Sequence, residues 1–588
     1  MAYFEADTGD GRRIVLTPRE RDVLSALCDP LFAGDPFPQP ASTRAIAESL
    51  VVTEAAVKQH LLHLYDKLGI PEGANNRRLR LAKEAVRVGI VALDGSRSAL
   101  VTHASASAPD QRVRSGRAAL VQRAWAEAYD ALAAADSAGP LTATDLNGLA
   151  EAALWTGRVD EATRFRERAH AAALEAGESA TAVRTALGLV FDSLARVRPA
   201  VAGGWIQTAR HILDSHPDDH EEGRYCFMVA LVQTATGQPE AGLSNARAAR
   251  AAGRRHGDPD LEALGIVFEG LALIQLGEVR DGTSLLDEAM ARASTGALGP
   301  LATGLVYCRT LAACLALHDY RRASQWTDTI LERGREIGTI GFAGDCRTHR
   351  IVLHLIRGEW EEGGREAELA CSETLALDMN HTGLAFYELG EIRLRQGDLT
   401  AAAEAFRRAN ELGADALPGT ALLRLAEGDA DAAAAALASA VEDATADRLR
   451  RARLLPALVD AALARGDIDT ARLAASDLAE VAEAVDSQAL RAAATTADGA
   501  TLVASGDLAG GQRSLRAGVR GWLDLGAPHE AARARLALAR ALAARGDQMS
   551  AIMEVEAALA TFDRLGARRD RDTARDLLKE LDRPAASI

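Results

Sequence analysis

Aromatic residues are scarce in this chain: Phe, Trp and Tyr make up 4% of its 588 residues, although 48% are hydrophobic. The apolar share is therefore mostly Ala and Leu, the strongest helix formers. That predicts an all-α protein whose helices approach closely over small side chains. Cysteine is sparse as well. Six lie scattered at 28, 226, 308, 314, 346 and 371, none in a CxxC pair, a pattern that fits reduced, buried thiols rather than a disulfide framework. No uncharged apolar run reaches the roughly 18 residues of a membrane span. The opening MAYFEADTGDGRR lacks the apolar stretch of a secretory signal, so a cytoplasmic location is expected. No Ser-His-Asp or Cys-His arrangement stands out, and no carboxylate pair is marked by its surroundings. Neither an enzyme nor a cofactor is predicted.

What is there divides unevenly. The net charge is −16, yet the first hundred residues carry thirteen basic and thirteen acidic groups. All the excess acid lies further on, where it repels phosphate, so any DNA contact belongs to the first hundred residues. Within 43–91 there are eight basic and five acidic groups, a charge so modest that one copy should bind DNA weakly.

After a short strand-like or loose start, LTPRERDVLSAL (16–27) reads as a helix. Thr17 is an N-cap, Pro18 suits the first helical position, and Glu20 completes a capping box. A loop with four prolines follows (28–43), then a short helix, RAIAESL (44–50). Thr53 caps a further helix, EAAVKQHLLHLYDKLG (54–69), and a last one spans 77–91. Two short helices about a tight turn, the second polar on its early outer face, make a helix-turn-helix plan. Val57, Leu61, Leu64 and Leu68 are predicted to face inward and Lys58, Gln59 and His63 outward. Gln can pair with adenine, and Lys with guanine or phosphate. The alternative is that this unit touches a protein instead.

The string LTPRERDVL … RAIAESLVVTEAAVKQHLLHLYDKLGI resembles the LuxR-type DNA-binding domain, with its L-T-x-R-E start, its I-A-x-x-L and V-K-x-H helices and its K-L-G end. The resemblance implies that Lys58 and Gln59 approach bases and that Lys67 approaches phosphate. The full DNA-contacting set is Thr53, Lys58, Gln59, Leu62, His63 and Lys67, with Arg44 and Arg77 beside them. Two departures from the family are a longer loop after the first helix and Leu62, where a polar residue is usual; a leucine there can meet a thymine methyl. The resemblance also implies a homodimer on two-fold DNA sites.

Residues 92–112, rich in Ser, Ala and Gly, read as a linker. From 113 to 580 the chain repeats itself. A turn recurs at Gly157, Gly237, Gly277, His318, Gly358, Gly397, Gly428, Gly466, Gly506 and Gly546, with gaps of 38 to 41 residues except one of 31 and one of 80. The gap of 80 predicts a degenerate copy near VRPAVAGGW (197–205), and so about eleven helix pairs. In the clearest copy, 384–414, Leu389, Gly390, Gly397, Ala402, Phe406 and Ala409 alternate large and small as in tetratricopeptide repeats. The period, near 40, is similar to that of the extended repeats in large LuxR-type regulators. Those regulators also carry an ATPase, whereas no GxxxxGK[ST] motif occurs here. The predicted fold is therefore all-α: a helix-turn-helix domain (1–91), the linker, a right-handed α-solenoid (113–580) and a tail (581–588).

Within the arm, Arg347, Arg350 and His354 with His381 and Tyr387 are candidates for a groove that holds a carboxylate or a peptide terminus. The competing reading is that they satisfy helix ends and neighbouring carboxylates. His349 and His354 are five apart and share no face for zinc. His216, Asp218, Asp219 and His220 look metal-like but read more simply as a polar loop. Trp326, Trp360 and Trp522 are expected in helix packing. Leu264, Val267, Leu271, Ile274, Leu305 and Leu315 are predicted to line a concave wall, which suggests a superhelix that buries itself or an amphipathic ligand. The functional expectation is a DNA-binding transcription regulator whose arm binds a peptide, protein or small molecule, or mediates dimerisation. The alternative is a repeat scaffold for protein–protein interaction.

Overall fold

The computed structural model describes residues 4–7, 13–28, 40–50, 52–68, 70, 77–78, 81–82, 85, 109–337, 343–376, 382–445 and 447–582. Those residues are helical apart from one hairpin, in which β1 (Phe4–Asp7) and β2 (Arg13–Leu16) pair antiparallel with Phe4 opposite Leu16.

Three helices follow: α1 (Pro18–Cys28), α2 (Thr43–Leu50) and α3 (Glu54–Lys67). The capping box at α1 forms in both directions. The Glu20 amide donates to Thr17 Oγ1 at 3.2 Å, and the Thr17 amide donates to Glu20 Oε2 at 2.8 Å. Ser42 caps α2 and Thr53 caps α3 by accepting from amides three residues on. Leu24, Leu27, Ile46, Val57 and Leu64 form one core with Leu81 and Ala85. Residues 77–78, 81–82 and 85 are helical, as expected for 77–91. Of the predicted linker, 92–108 lie outside the described residues, and the first repeat helix begins at Pro109, ahead of the expected boundary.

From Ala143 to Leu565 the chain forms eleven helix pairs, preceded by Pro109–Val121 and Trp125–Asp136 and followed by Arg568–Leu581. The turn within each pair has a local cause. Its last residue takes a left-handed φ, +78° at Gly157, so the chain can reverse without a Cβ clash. The Asp that follows in later copies caps the next helix, as Asp467 accepts from Thr470 N at 3.1 Å. Where the sequence predicted a degenerate copy, Val197 makes the same turn at φ +53°, and His318 does so at +53°. Neither is a glycine, and each left-handed L-residue costs about 1 kcal/mol.

Small residues set the spacing between helices. Ala402, Phe406 and Ala409 are buried, and a Cβ on Gly390 would stand 2.5 Å from the Phe406 ring. Trp360 is 2% exposed, its Nε1 donating to Leu355 O, and Trp522 Nε1 donates to Thr496 Oγ1. Cys28, Cys226, Cys308, Cys314 and Cys371 are buried thiols; burial pushes those of Cys314 and Cys371 up to about 12.

Two compact units result. One comprises Met1–Asp192, Gln207–His216 and Leu331–Ala343, and the other comprises Ser193–Ile206, Pro217–Ile330 and Gly344–Ile588. Within the second, repeats distant in sequence touch. Arg280 pairs with Asp486 at 3.1 Å, Ser487 Oγ donates to His318 O, and Ile351, Leu355 and Trp360 share a core with Leu542, Phe562 and Leu577. Leu264, Val267, Ile274 and Leu305 are buried, while Leu271 and Leu315 are half-buried. The apolar wall foreseen in the sequence accompanies a superhelix that buries itself.

Candidate nucleic-acid interface and repeat groove

The α3 helix has two faces. Val57, Leu61, Leu64 and Tyr65 are buried against α1 and α2. Lys58, Gln59, Leu62 and His63 stand exposed on the other side, Leu62 at 47%. Lys58 has no partner among the described residues, and the Gln59 amide lies 3.4 Å from His63 Nε2. Thr53 is exposed, with its hydroxyl engaged as the cap.

The remaining cations of the expected set are committed within the unit. Lys67 Nζ donates to Glu20 Oε2 at 2.7 Å, tying the end of α3 to the start of α1. Burial raises the Glu20 carboxyl, but Lys67 and Thr17 outweigh it and hold the group below the usual carboxylate range. Arg77 stacks on the Tyr65 ring at 4.1 Å and donates to Ile70 O. Arg44 pairs with Glu48 at 2.9 Å, both exposed. Lys58 is thus the one unpaired lysine or arginine among the residues that the sequence named for DNA contact.

In the arm, Arg347, Arg350 and His354 do not form an open anion groove. Arg347 is 2% exposed with Nε donating to Glu373 at 3.2 Å, and Arg350 pairs with Glu366. His354 Nδ1 lies 2.6 Å from Glu359 Oε2. The two arginines answer carboxylates of the adjacent helix and His354 meets one just before it, which is the competing reading of the sequence. His381 lies outside the described residues. Tyr387 is buried, donates to Glu391 Oε1 at 3.1 Å and supports Arg453 on its ring.

The metal-like run at 216–220 joins repeats. Asp218 caps Asp219–Ala235, Asp219 pairs with Arg255 and His256, and His220 Nε2 meets Asp258 at 2.9 Å. Sequence reasoning missed Glu388, Glu391, Arg395, Arg453 and Glu530, which meet inside the larger unit. Their one visible signal is FYELGEIRLR (386–395), a repeat helix with charges at positions where its neighbours carry Ala and Leu.

No family model matches the chain, and no curated protein matches it. Among solved structures, the crystal structure of the APC/C hetero-tetramer Cut9-Hcn1 is 14% identical, with a TM-score of 0.34, covering 82% of this chain and 97% of that one. Yeast Tom70 is 11% identical, with a TM-score of 0.30, covering 80% and 95%. Both likenesses are too slight to bear on what this chain does.

Proposed function

We propose that the chain is a repeat scaffold whose partners are proteins, with the N-terminal three-helix unit as a contact module. The observation that carries this is the repetition itself. Eleven like helix pairs occur between Ala143 and Leu565 among the described residues, and such stacks serve chiefly to present binding surface.

One observation favours a second target for the N-terminal unit, namely double-stranded DNA. Packing consumes one face of α3 and leaves Lys58, Gln59, Leu62 and His63 together in solvent, as a recognition helix requires. In that reading residues 1–91 are a DNA-binding domain, and the arm joins two copies or receives a signal. The weak positive charge suits a dimer, in which two half-sites add their affinities.

A salt series of the full chain on genomic DNA fragments separates the readings. Under DNA recognition, a few fragments are retained selectively, binding falls steeply with salt, and Lys58→Ala with Gln59→Ala abolishes the selectivity. Under the scaffold reading, DNA is held weakly and uniformly or not at all. Residue-resolved cross-links to partner proteins then fall on the repeat helices and survive that double substitution.

A further inference from the structure

Within the larger unit, turns inside helix pairs meet later repeats at a constant offset. Gly277, His318, Gly358 and Gly397 meet Arg448, Ser487, Pro528 and Arg568, which stand 169 to 171 residues on. A fixed offset means that one turn of the superhelix rests on the next along a seam. One end of the seam is tight and apolar. A Cβ on Gly358 would strike Leu565 and stand 3.2 Å from Pro528, and one on Gly397 would stand 3.4 Å from the Arg569 amide nitrogen. Trp360, Phe562 and Leu565 share a buried core there.

At the other end the two turns stand apart. A gap of about 870 Å³ lies between Glu278, Arg280 and Asp281 on one side and Ala482, Glu483 and Asp486 on the other. A second gap, of about 670 Å³, continues from Asp486 towards Trp326. Among the described residues, the one ion pair or hydrogen bond across the larger gap joins Arg280 Nη2 to Asp486 Oδ2 at 3.1 Å, with the side chains 88% and 50% exposed. Asp486 makes this contact at a local cost. It ends the helix Ile468–Val485 with a left-handed φ of +57°, whereas the equivalent turns after the next two pairs use Gly526 at +68° and Gly566 at +72°. A side chain is strained in that conformation and glycine is not. The carboxylate holds a guanidinium with each oxygen: Arg491 on Oδ1 at 2.8 Å from its own side, and Arg280 on Oδ2 from across the gap. Backbone strain of this kind persists at clamps and switches.

We propose that Asp486 is the latch of a gate between two turns of the superhelix. The seam opens at 277–281 when Arg280 leaves Asp486, and the apolar end at 358–397 stays shut as the pivot. An exposed ion pair is weak and is screened by salt, so the open form is within easy reach and grows with ionic strength. Glu278, Asp281 and Glu483 line the gap and have no ion-pair partner among the described residues. Their like charges, on both sides of the gap, favour opening once the latch is released.

The test is distance measurement in the full chain by double electron–electron resonance. Spin labels go on Glu278→Cys with Glu483→Cys across the polar end, and on Glu361→Cys with Arg564→Cys across the apolar end. All four positions are exposed, and the chain without added cysteines is labelled in parallel for background. At low salt the 278–483 pair should show a short main distance. In about 1 M NaCl, which shrinks the reach of exposed charges to about 3 Å, a longer population should grow about two- to fivefold, in keeping with an exposed pair. Asp486→Gly should do the same at low salt. It keeps the fold, because glycine serves at the equivalent turns, and salt should then add nothing. The 361–564 distance should stay fixed throughout. Failure of either 1 M NaCl or Asp486→Gly to lengthen the 278–483 distance overturns the proposal. Lengthening at both ends together also overturns it, since the seam would then loosen as one piece with no pivot.

Discussion

Glu530 shows how one side chain can be held between opposing effects. Burial raises its carboxyl, but Arg395 and then His529 outweigh burial and bring it to about 2. A depressed carboxyl contributes stability above its unfolded value, near 4.5, and loses it as pH falls towards about 2. Glu530→Gln should therefore cost about 1–3 kcal/mol at pH 7, the usual penalty for losing a part-buried charged contact, although Arg395 keeps Glu391. The cost should shrink steadily below pH 4.5, as urea unfolding of both chains between pH 7 and pH 3.5 would register. At this scale the sequence is legible only where partners are close in the chain. The partners of the Thr17–Glu20 box are three positions apart and could be read directly. Lys67 reads as a phosphate ligand until it is found 47 residues away on Glu20. Arg395 has one partner four residues back, Glu391, but its other partner, Glu530, and the groups that meet Arg453 lie on other repeats and leave no mark in spacing.

Helices and turns were more legible, because their causes are local. A glycine followed by aspartate both ends one helix and caps the next, so the 40-residue period shows where the second helix of each pair begins. The degenerate copy could be placed from its gap alone, although Val197 makes its turn without the glycine. Close packing makes a prediction at this scale. Gly390 lies against Phe406, where a methyl would need 2.5 Å, and Gly419 faces the same ring from the next pair. Gly390→Ala should destabilise the chain by about 1–3 kcal/mol through overpacking, although Ala is the better helix former. Chemical denaturation would record the sign, and a gain in stability would mean that Phe406 can move aside. Helix geometry could not be carried from sequence to the groove, since a periodic apolar face looks the same whether it lines an open wall or a buried one.

At the scale of the larger unit, the consequential feature is contact between repeats far apart in sequence. Arg280 and Asp486 are 206 residues apart, and their exposed pair contributes little by itself. The shared core of Ile351, Leu355, Trp360, Phe562 and Leu577 contributes much more. In a stack held only by adjacent pairs, stability is a sum of local terms and unfolding can proceed from an end. Here the terminal pairs are also clasped by earlier ones. Pulled from residues 217 and 582 in an optical trap, an ordinary stack would peel in a run of small, equal steps. This chain should instead hold to a higher load, yield in one large rip as the clasp parts, and only then unravel pair by pair.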